Sequence, residues 1–359
     1  MIRLVPRERP SQAATYLAPV AAVALTAAIG LLLFAALGKE PARAVGLIFL
    51  APLADGYALS EIVVKATPLA LIAIGLSFGF RAGVWNIGAE GQFTVGAIAA
   101  GAVALAFYDT PGLWLAPLMC LAGAAAGMAW AAVPALLRTR FNTNEILTSL
   151  MLTYVATLLL SVLVHGALRD PDGMNFPESR LFHDAATLPI LVEGTRIHVG
   201  ALAALLAVGA AWLVFGRHIF GVQTKVFGQA PRAARFAGFI ESRIVWSCFA
   251  ISGGLAGLAG AFEAAGPVGQ LTPALPVGYG FTAIIVAFLG RLSPVGILAA
   301  SLVMALTYIG GEIAQIEMNL PNAIIGVFQG MFLFALLGLD VLGRYRFERR
   351  RPAGARQEA

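Results

Sequence analysis

The sequence has only two cysteines, three lysines and four histidines among 359 residues, and charged residues make up just 12%. Each scarcity excludes something. Cys120 and Cys248 lie in apolar runs, which leaves no disulfide framework and no metal-ligand spacing, so both read as small core residues. A phosphate-binding P-loop needs Gly, four residues, then Gly-Lys-Ser/Thr, so that backbone amides and the lysine hold phosphates. Of the three lysines only Lys39 follows a glycine, and Glu40 comes next, so the chain has no such loop. Ordinary soluble domains carry roughly 25% charged residues, about twice the fraction here. The short alternating segments of a β-barrel are missing too.

What is present is apolar. Hydrophobic residues make up 59% of the chain, in repeated runs of about 20, the length that crosses a bilayer as helix. The expected fold is all-α: a polytopic transmembrane helical bundle of about ten spans. The runs are 13–37, 61–80, 86–107, 113–137, 146–165, 199–215, 244–265, 281–290, 295–313 and 321–341. The first exceeds a signal-peptide core and reads as a retained helix. The eighth is about half a span. No soluble domain fits between them, so residues 1–359 form a single transmembrane domain. Its polar pieces are an arm at 1–12, loops at 169–198 and 217–243, and a basic tail at 342–359.

The net charge of +5 reflects Lys and Arg gathered in cytoplasmic loops rather than contact with nucleic acid. With the N-terminus inside and ten alternating segments, the cytoplasmic pieces hold 18 of the 24 Lys and Arg and the outer pieces hold five. That split supports both termini inside; eight passes with two segments dipping back meet the same test. Glu61 and Lys65, four residues apart, can pair at the outer end of the second run. Gly75, Gly79 and Gly83, and also Gly123 and Gly127, make small-residue stripes for close helix contact. Thr94–Gly101 matches Pro294–Ser301 at four of eight positions. Spans two to five and seven to ten would then be inverted repeats around a central site.

The stretch Arg81-Ala-Gly-Val-Trp-Asn86-Ile-Gly-Ala-Glu90-Gly-Gln92-Phe93 is a polar, glycine-rich interruption between two apolar runs. Asn86, Glu90 and Gln92 are costly beside lipid and are expected to face other helices or a water-filled path. A break of this kind suits a solute pathway. Capping by Asn86 and close packing at Gly88 and Gly91 is the plainer reading. Glu263 and Gln270, near the outer end of the seventh run, line an entry vestibule or belong to a solvated loop.

In the second long polar loop, Pro231 can start a short helix and Gly238 can end it. Ala233, Ala234 and Ala237 give it a small-residue surface, with Arg232 and Arg235 alongside. Such a helix suits docking into a partner's groove or resting on lipid headgroups. Gly75-Leu-Ser77-Phe-Gly79 matches a hydrolase pattern, but only His218 lies on the same side of the membrane as Ser77, and the glycines have a packing explanation.

Together these residues resemble the permease subunits of bacterial ABC importers, in the branch serving nucleosides and simple sugars that is related to branched-chain amino-acid permeases. The likeness rests on Ala66-Thr-Pro-Leu-Ala70, Phe80-Arg-Ala-Gly83, Asn86-Ile-Gly-Ala-Glu-Gly-Gln92, Ala230-Pro-Arg-Ala-Ala234 with Gly238, Ile251-Ser-Gly-Gly-Leu-Ala-Gly-Leu-Ala-Gly260 and Gln329-Gly330. It covers about residues 37–338 and is greatest to the longer permease of nucleoside importers. Trp85 departs from the pattern, where a smaller ring is expected. The resemblance implies a non-enzymatic permease working by alternating access in the inner membrane. It makes Asn86, Glu90 and Gln92 the pathway and Pro231, Arg232, Ala233, Ala234, Arg235 and Gly238 the ATPase coupling helix. It also implies a separate ATPase carrying ATP and Mg, a second, paralogous permease (or a second copy) and an extracytoplasmic substrate-binding protein facing 169–198. No cofactor or metal is expected in this chain. A sugar permease, an ion-coupled secondary transporter and an intramembrane hydrolase are the alternatives.

Overall fold

The computed structural model describes residues 2–6, 12–110, 112–321 and 323–349. In chain order the elements are β1 (Ile2–Pro6), α1 (Gln12–Ala36), α2 (Pro41–Phe49), α3 (Ala51–Ala54), α4 (Gly56–Arg81), α5 (Ala89–Ala106), α6 (Leu115–Phe141) and α7 (Glu145–His165). They continue with α8 (Gly200–Arg217), α9 (Ile219–Gln229), α10 (Pro231–Phe236), α11 (Glu241–Glu263), α12 (Tyr279–Leu289), α13 (Pro294–Met318), α14 (Ala323–Arg344) and β2 (Tyr345–Arg349). The chain is a helical, multi-pass membrane protein. Among the described residues seven helices are long and apolar enough to cross a bilayer: α4, α5, α6, α7, α8, α11 with the π-turn that extends it to Val268, and α13. The short eighth run is α12, at 11 residues about half a span.

Two compact units divide the chain. Residues 55–306 form one; residues 1–54 and 307–359 form the other. In the larger unit α4 is buried along nearly its whole length, as expected of a helix that is apolar all round. It starts five residues before the expected Glu61, because the Asp55 carboxylate accepts the Ala58 N–H at 3.1 Å and fixes the first turn. It ends in a Schellman motif: Val84 N–H donates to the Gly79 carbonyl and Gly83 N–H to that of Phe80. Gly83 takes the left-handed conformation, φ +69°, that this motif needs. Its place in a helix-contact stripe is therefore taken over by a turn.

Helix α11 lies against α4, α5 and α6. Small residues allow this: a Cβ added at Gly257 would meet the Gly123 carbonyl oxygen and the Gly127 backbone, and one at Gly75 would lie 2.9 Å from the Ser252 Cα. Helices α6 and α7 form a hairpin. Asn142 takes the left-handed conformation to end α6, and the Asn144 side chain accepts from Ile146 N–H at 2.9 Å to start α7.

The stretch between α7 and α8 is tied to the segment after α11. Ser179 N–H donates to the Leu271 carbonyl, Phe182 N–H to Gly269 and Leu188 N–H to Ala265, at 2.8–3.0 Å. Arg196 fastens the end of the loop through two hydrogen bonds to Glu61, one at 2.9 Å and the other from its Nη2. Glu61 therefore pairs with a residue 135 positions away in the chain. His198 is buried; its Nδ1 accepts the Gly200 N–H at 3.1 Å, and burial lowers its pKa to about 4.

The smaller unit packs α1 against α14 and α2. Phe34, Ile48, Ala314, Leu320 and Phe328 form its core, and Lys39 Nζ donates to the Met318 carbonyl at 2.7 Å. Strands β1 and β2 pair antiparallel, with Ile2 opposite Arg349 and Pro6 opposite Tyr345. Parts of the expected arm (1–12) and tail (342–359) thus join as a small ladder; Arg7, Arg9, Pro111, Arg350 and Arg351 lie outside the described residues. Three short helices depart from the sequence reading. The link after the first run contains α3 and also α2, which Pro41 opens at its first position. The basic 217–243 stretch contains α9 in addition to the expected short helix.

Two outcomes follow. Gly257→Leu overpacks the α5–α6–α11 contact, a cost of about 1–3 kcal/mol. It is expected to lower the melting temperature of the purified chain in detergent by roughly 5 °C, whereas Gly209→Ala, with nothing within 4 Å of an added Cβ, leaves it unchanged. His198 folds neutral, so its contribution is complete above pH 6.5 and is lost as pH falls from 6.5 toward about 4. The melting temperature is expected to drop over that window, and His198→Asn, which keeps an acceptor for Gly200, to flatten the drop.

Candidate functional site

The interruption after α4 turns its polar side chains inward. Asn86 and Gln92 form a reciprocal amide pair: Asn86 Nδ2 donates to Gln92 Oε1 at 2.8 Å and Gln92 Nε2 donates back to Asn86 Oδ1 at 3.1 Å. Asn86 Nδ2 also donates to Ser252 Oγ on α11. Asn86 Oδ1 accepts the Gly88 N–H at 3.0 Å, so Asn86 does the work of a cap although Gly88 holds the N-cap position. All four polar side chains here (Asn86, Glu90, Gln92 and Ser252) are buried. Every hydrogen bond in the amide pair is neutral, so a hydroxyl or amide of a solute can replace either partner without exposing a charge.

Glu90 serves a different partner. Its carboxylate accepts the Gly278 N–H at 2.8 Å and the Gly280 N–H. These are the first free amides of α12, where a carboxylate satisfies orphan donors and complements the helix dipole. The approach is close enough that a Cβ on Gly280 would meet the Glu90 backbone. One break in the chain thus anchors the start of a second, half-length helix.

From α12 the polar groups continue toward the loop. The Tyr279 hydroxyl donates to Glu263 Oε1 at 3.4 Å, and Lys65 Nζ sits 5.7 Å from the Tyr279 ring centre. Glu61 and Arg196 complete the series. Glu263 is therefore buried within the unit, while Gln270 lies in the segment beyond α11, donating to Glu178 at 3.2 Å. The two expected vestibule residues have separate surroundings.

At the other end, Trp85 and Phe80 both stack against Phe288, at 5.8 and 5.1 Å, and Trp85 meets Phe80 at a tilt, 5.1 Å between ring centres. Glu145, at the start of α7, accepts from Arg138 and from the Trp85 backbone N–H. Helix α10 spans most of the expected coupling helix, and Gly238 closes it at φ +79°. Ala234 is fully buried, so the exposed face carries Ala233, Ala237 and a Phe236 that is 94% exposed. Pro231, Arg232 and Arg235 are exposed, and Arg235 pairs with Glu241 at 2.9 Å. Ser77 is buried and donates to the Ile74 carbonyl at 2.7 Å within its own helix, the bond of a structural serine.

Sequence reading missed Ser252, Tyr279, Ser149 and Arg196. Ser252 sat in view within the Ile251–Gly260 string; the others are brought in by folding alone.

Comparison with known proteins agrees with this architecture. The family described as branched-chain amino acid transport system / permease component matches residues 58–337. The glucose ABC transporter permease of Haloferax volcanii is 37% identical, covering 97% of this chain and 95% of its own. The guanosine ABC transporter permease of Bacillus subtilis is 31% identical, covering 87% and 90%. The nucleoside ABC transporter permease of Lactococcus lactis subsp. cremoris is 26% identical, covering 89% of each. No solved structure matches. A buried polar break among membrane-spanning helices, together with a match across most of the chain, places it in the branched-chain amino acid transport system / permease component family of ABC transporters.

Proposed function

We propose that this chain is the membrane-spanning subunit of an ATP-driven importer, moving a nucleoside or related purine compound inward by alternating access. The observation that carries the reading is the buried Asn86–Gln92–Ser252 cluster beside Glu90. It is a neutral hydrogen-bonding surface at a break in the spanning helices, which a ribose or base can enter by exchanging hydrogen bonds while shedding water. The nucleoside and guanosine permeases among the relatives support that substrate class. A simple sugar is the second reading, favoured by the 37% identity to a glucose permease. Nucleosides and sugars both carry hydroxyls that can exchange hydrogen bonds with the amide pair.

The sequence has no P-loop, so a separate subunit supplies ATP hydrolysis and holds ATP and Mg. Residues 231–238 meet that subunit, with Ala233 and Phe236 on the exposed face. A paralogous permease completes the membrane pathway, as a heterodimer, and the 169–198 loop faces a substrate-binding protein outside. Both termini lie in the cytoplasm, and the basic loops and tail rest against anionic lipid headgroups.

Three results test this reading. Cells lacking the chain are expected to lose uptake of labelled adenosine, and excess unlabelled ribose to leave wild-type uptake intact; competition by ribose or glucose would move the assignment to a sugar. Glu90→Ala is expected to lower uptake at least tenfold, and full transport by that variant would remove the pathway role. Ala233→Asp is expected to abolish co-purification of the ATPase while the permease stays in the membrane; normal association would remove the docking role.

A further inference from the structure

Residues 138–149 stand between the segment assigned to the ATPase and the polar break. The end of α6 and the start of α7 form one wall of a cleft of about 700 Å³, and Arg235, Glu241, Ser242 and Val245 form the other. Thr139 Oγ1 accepts the Trp246 Nε1–H at 3.2 Å, joining the two walls at the end of α6. Across the cleft from Arg235, Arg138 pairs with Glu145; the two side chains are only 17% and 15% exposed.

Glu145 faces both ways. Besides Arg138, its Oε1 lies 3.4 Å from the Trp85 N–H. One turn on, Ser149 Oγ accepts the Ile87 N–H at 3.2 Å, and its backbone lies against Gly88, where an added Cβ would be 2.6 Å from the Ser149 carbonyl oxygen. A further turn along, Thr153 backs Gly91, with its Cα 2.8 Å from a Cβ placed there. Residues 85, 87, 88 and 91 are thus held by one face of α7. Asn86, inside this run, is the residue that pairs with Gln92 and Ser252.

We propose that Arg138 and Glu145 are a positioning pair that carries movement of the 231–243 segment to the Trp85–Gly88 backbone, and so set how tightly ATP hydrolysis is coupled to opening of the break. The inference rests on the transport reading above. Two physical points support it. A largely buried ion pair holds its partners in one geometry, and losing one member leaves an uncompensated charge. The pair also sits beside an open cleft, where the walls have room to approach each other, and the hydrogen bonds at Trp85 and Ile87 with the close packing at Gly88 leave α7 little freedom to shift without moving the break. Coupling of this kind is reciprocal for binding, so substrate arriving at the break must also be felt at the ATPase.

The test uses the complete transporter, with its ATPase, second permease and binding protein, in lipid nanodiscs for ATP hydrolysis and in proteoliposomes for uptake. Glu145→Gln and Arg138→Gln are expected to assemble with wild-type stoichiometry and to keep basal ATP hydrolysis. Labelled adenosine taken up per ATP hydrolysed is expected to fall roughly tenfold, within the range of ordinary coupling energies, and stimulation of hydrolysis by adenosine-loaded binding protein to fall with it. Arg138→Lys, which keeps the charge, is expected to restore most of the ratio. Arg140→Gln, the same charge change in the same cleft, is expected to leave it unchanged.

A wild-type ratio in both glutamine variants would overturn the proposal. So would an equal loss in Arg140→Gln, which would assign the effect to the charge of the cleft, or failure of both glutamine variants to assemble, which would make the pair purely structural. If the wild-type complex itself shows no ATP-driven uptake of adenosine, glucose or ribose, the transport reading fails and this one with it; the wild-type control separates the two failures.

Discussion

A break in a membrane helix strands backbone and side-chain polar groups where water is scarce, and each one left unpaired costs free energy. The interval between α4 and α5, with the first turn of α5, meets this constraint in four ways. The Schellman turn at Gly83 closes the end of α4 on its own carbonyls. Asn86, Gln92 and Ser252 satisfy one another. Ser149 and Glu145 take the amides of Ile87 and Trp85. Glu90, in the first turn of α5, is held by the amides that open α12. Two discontinuities therefore stabilise each other, and α12 can begin inside the apolar unit because α5 supplies its cap.

The rest of the larger unit serves this arrangement. Glycines at 123, 127 and 257 bring α11 near enough to α6 and α5 for Ser252 to reach Asn86. The loop before α8, bonded to 265–271 and clamped by Arg196 onto Glu61, holds the other end of α11 and α4. Between clamp and break run Lys65, Glu263 and Tyr279. The unit thus carries a series of polar side chains from the Arg196 clamp to the Trp85–Phe288 stack.

Much of this was legible in the sequence, for definite reasons. Apolar runs of spanning length mark helices whatever their packing, and an Asn-Glu-Gln cluster between two such runs marks a break. The half-length α12 was visible because its apolar stretch is short. The partners of the break were not legible: Ser252 is 166 residues from Asn86, and Gly278 is 188 from Glu90, separations that no local periodicity encodes. Helix α9 escaped because Gln223, Lys225 and Gln229 made it read as loop, although burial of Gly221, Thr224 and Phe227 holds one face in place. Ala234 illustrates the limit of composition: three alanines suggested one docking surface, but the helical turn sends one of them inward.

The central claim is that the Asn86–Gln92–Ser252 cluster opens to solute during the transport cycle. The most direct test places a single thiol there: Ser252→Cys with Cys120 and Cys248 replaced by alanine, in the complete transporter. A small water-soluble thiol reagent should label Cys-free controls not at all, and should label the variant at clearly different rates in the nucleotide-free and the ATP-trapped states, with adenosine slowing the faster one. Equal rates in both states, unaffected by adenosine or glucose, would mean that the cluster is a fixed part of the packing and that solute passes elsewhere.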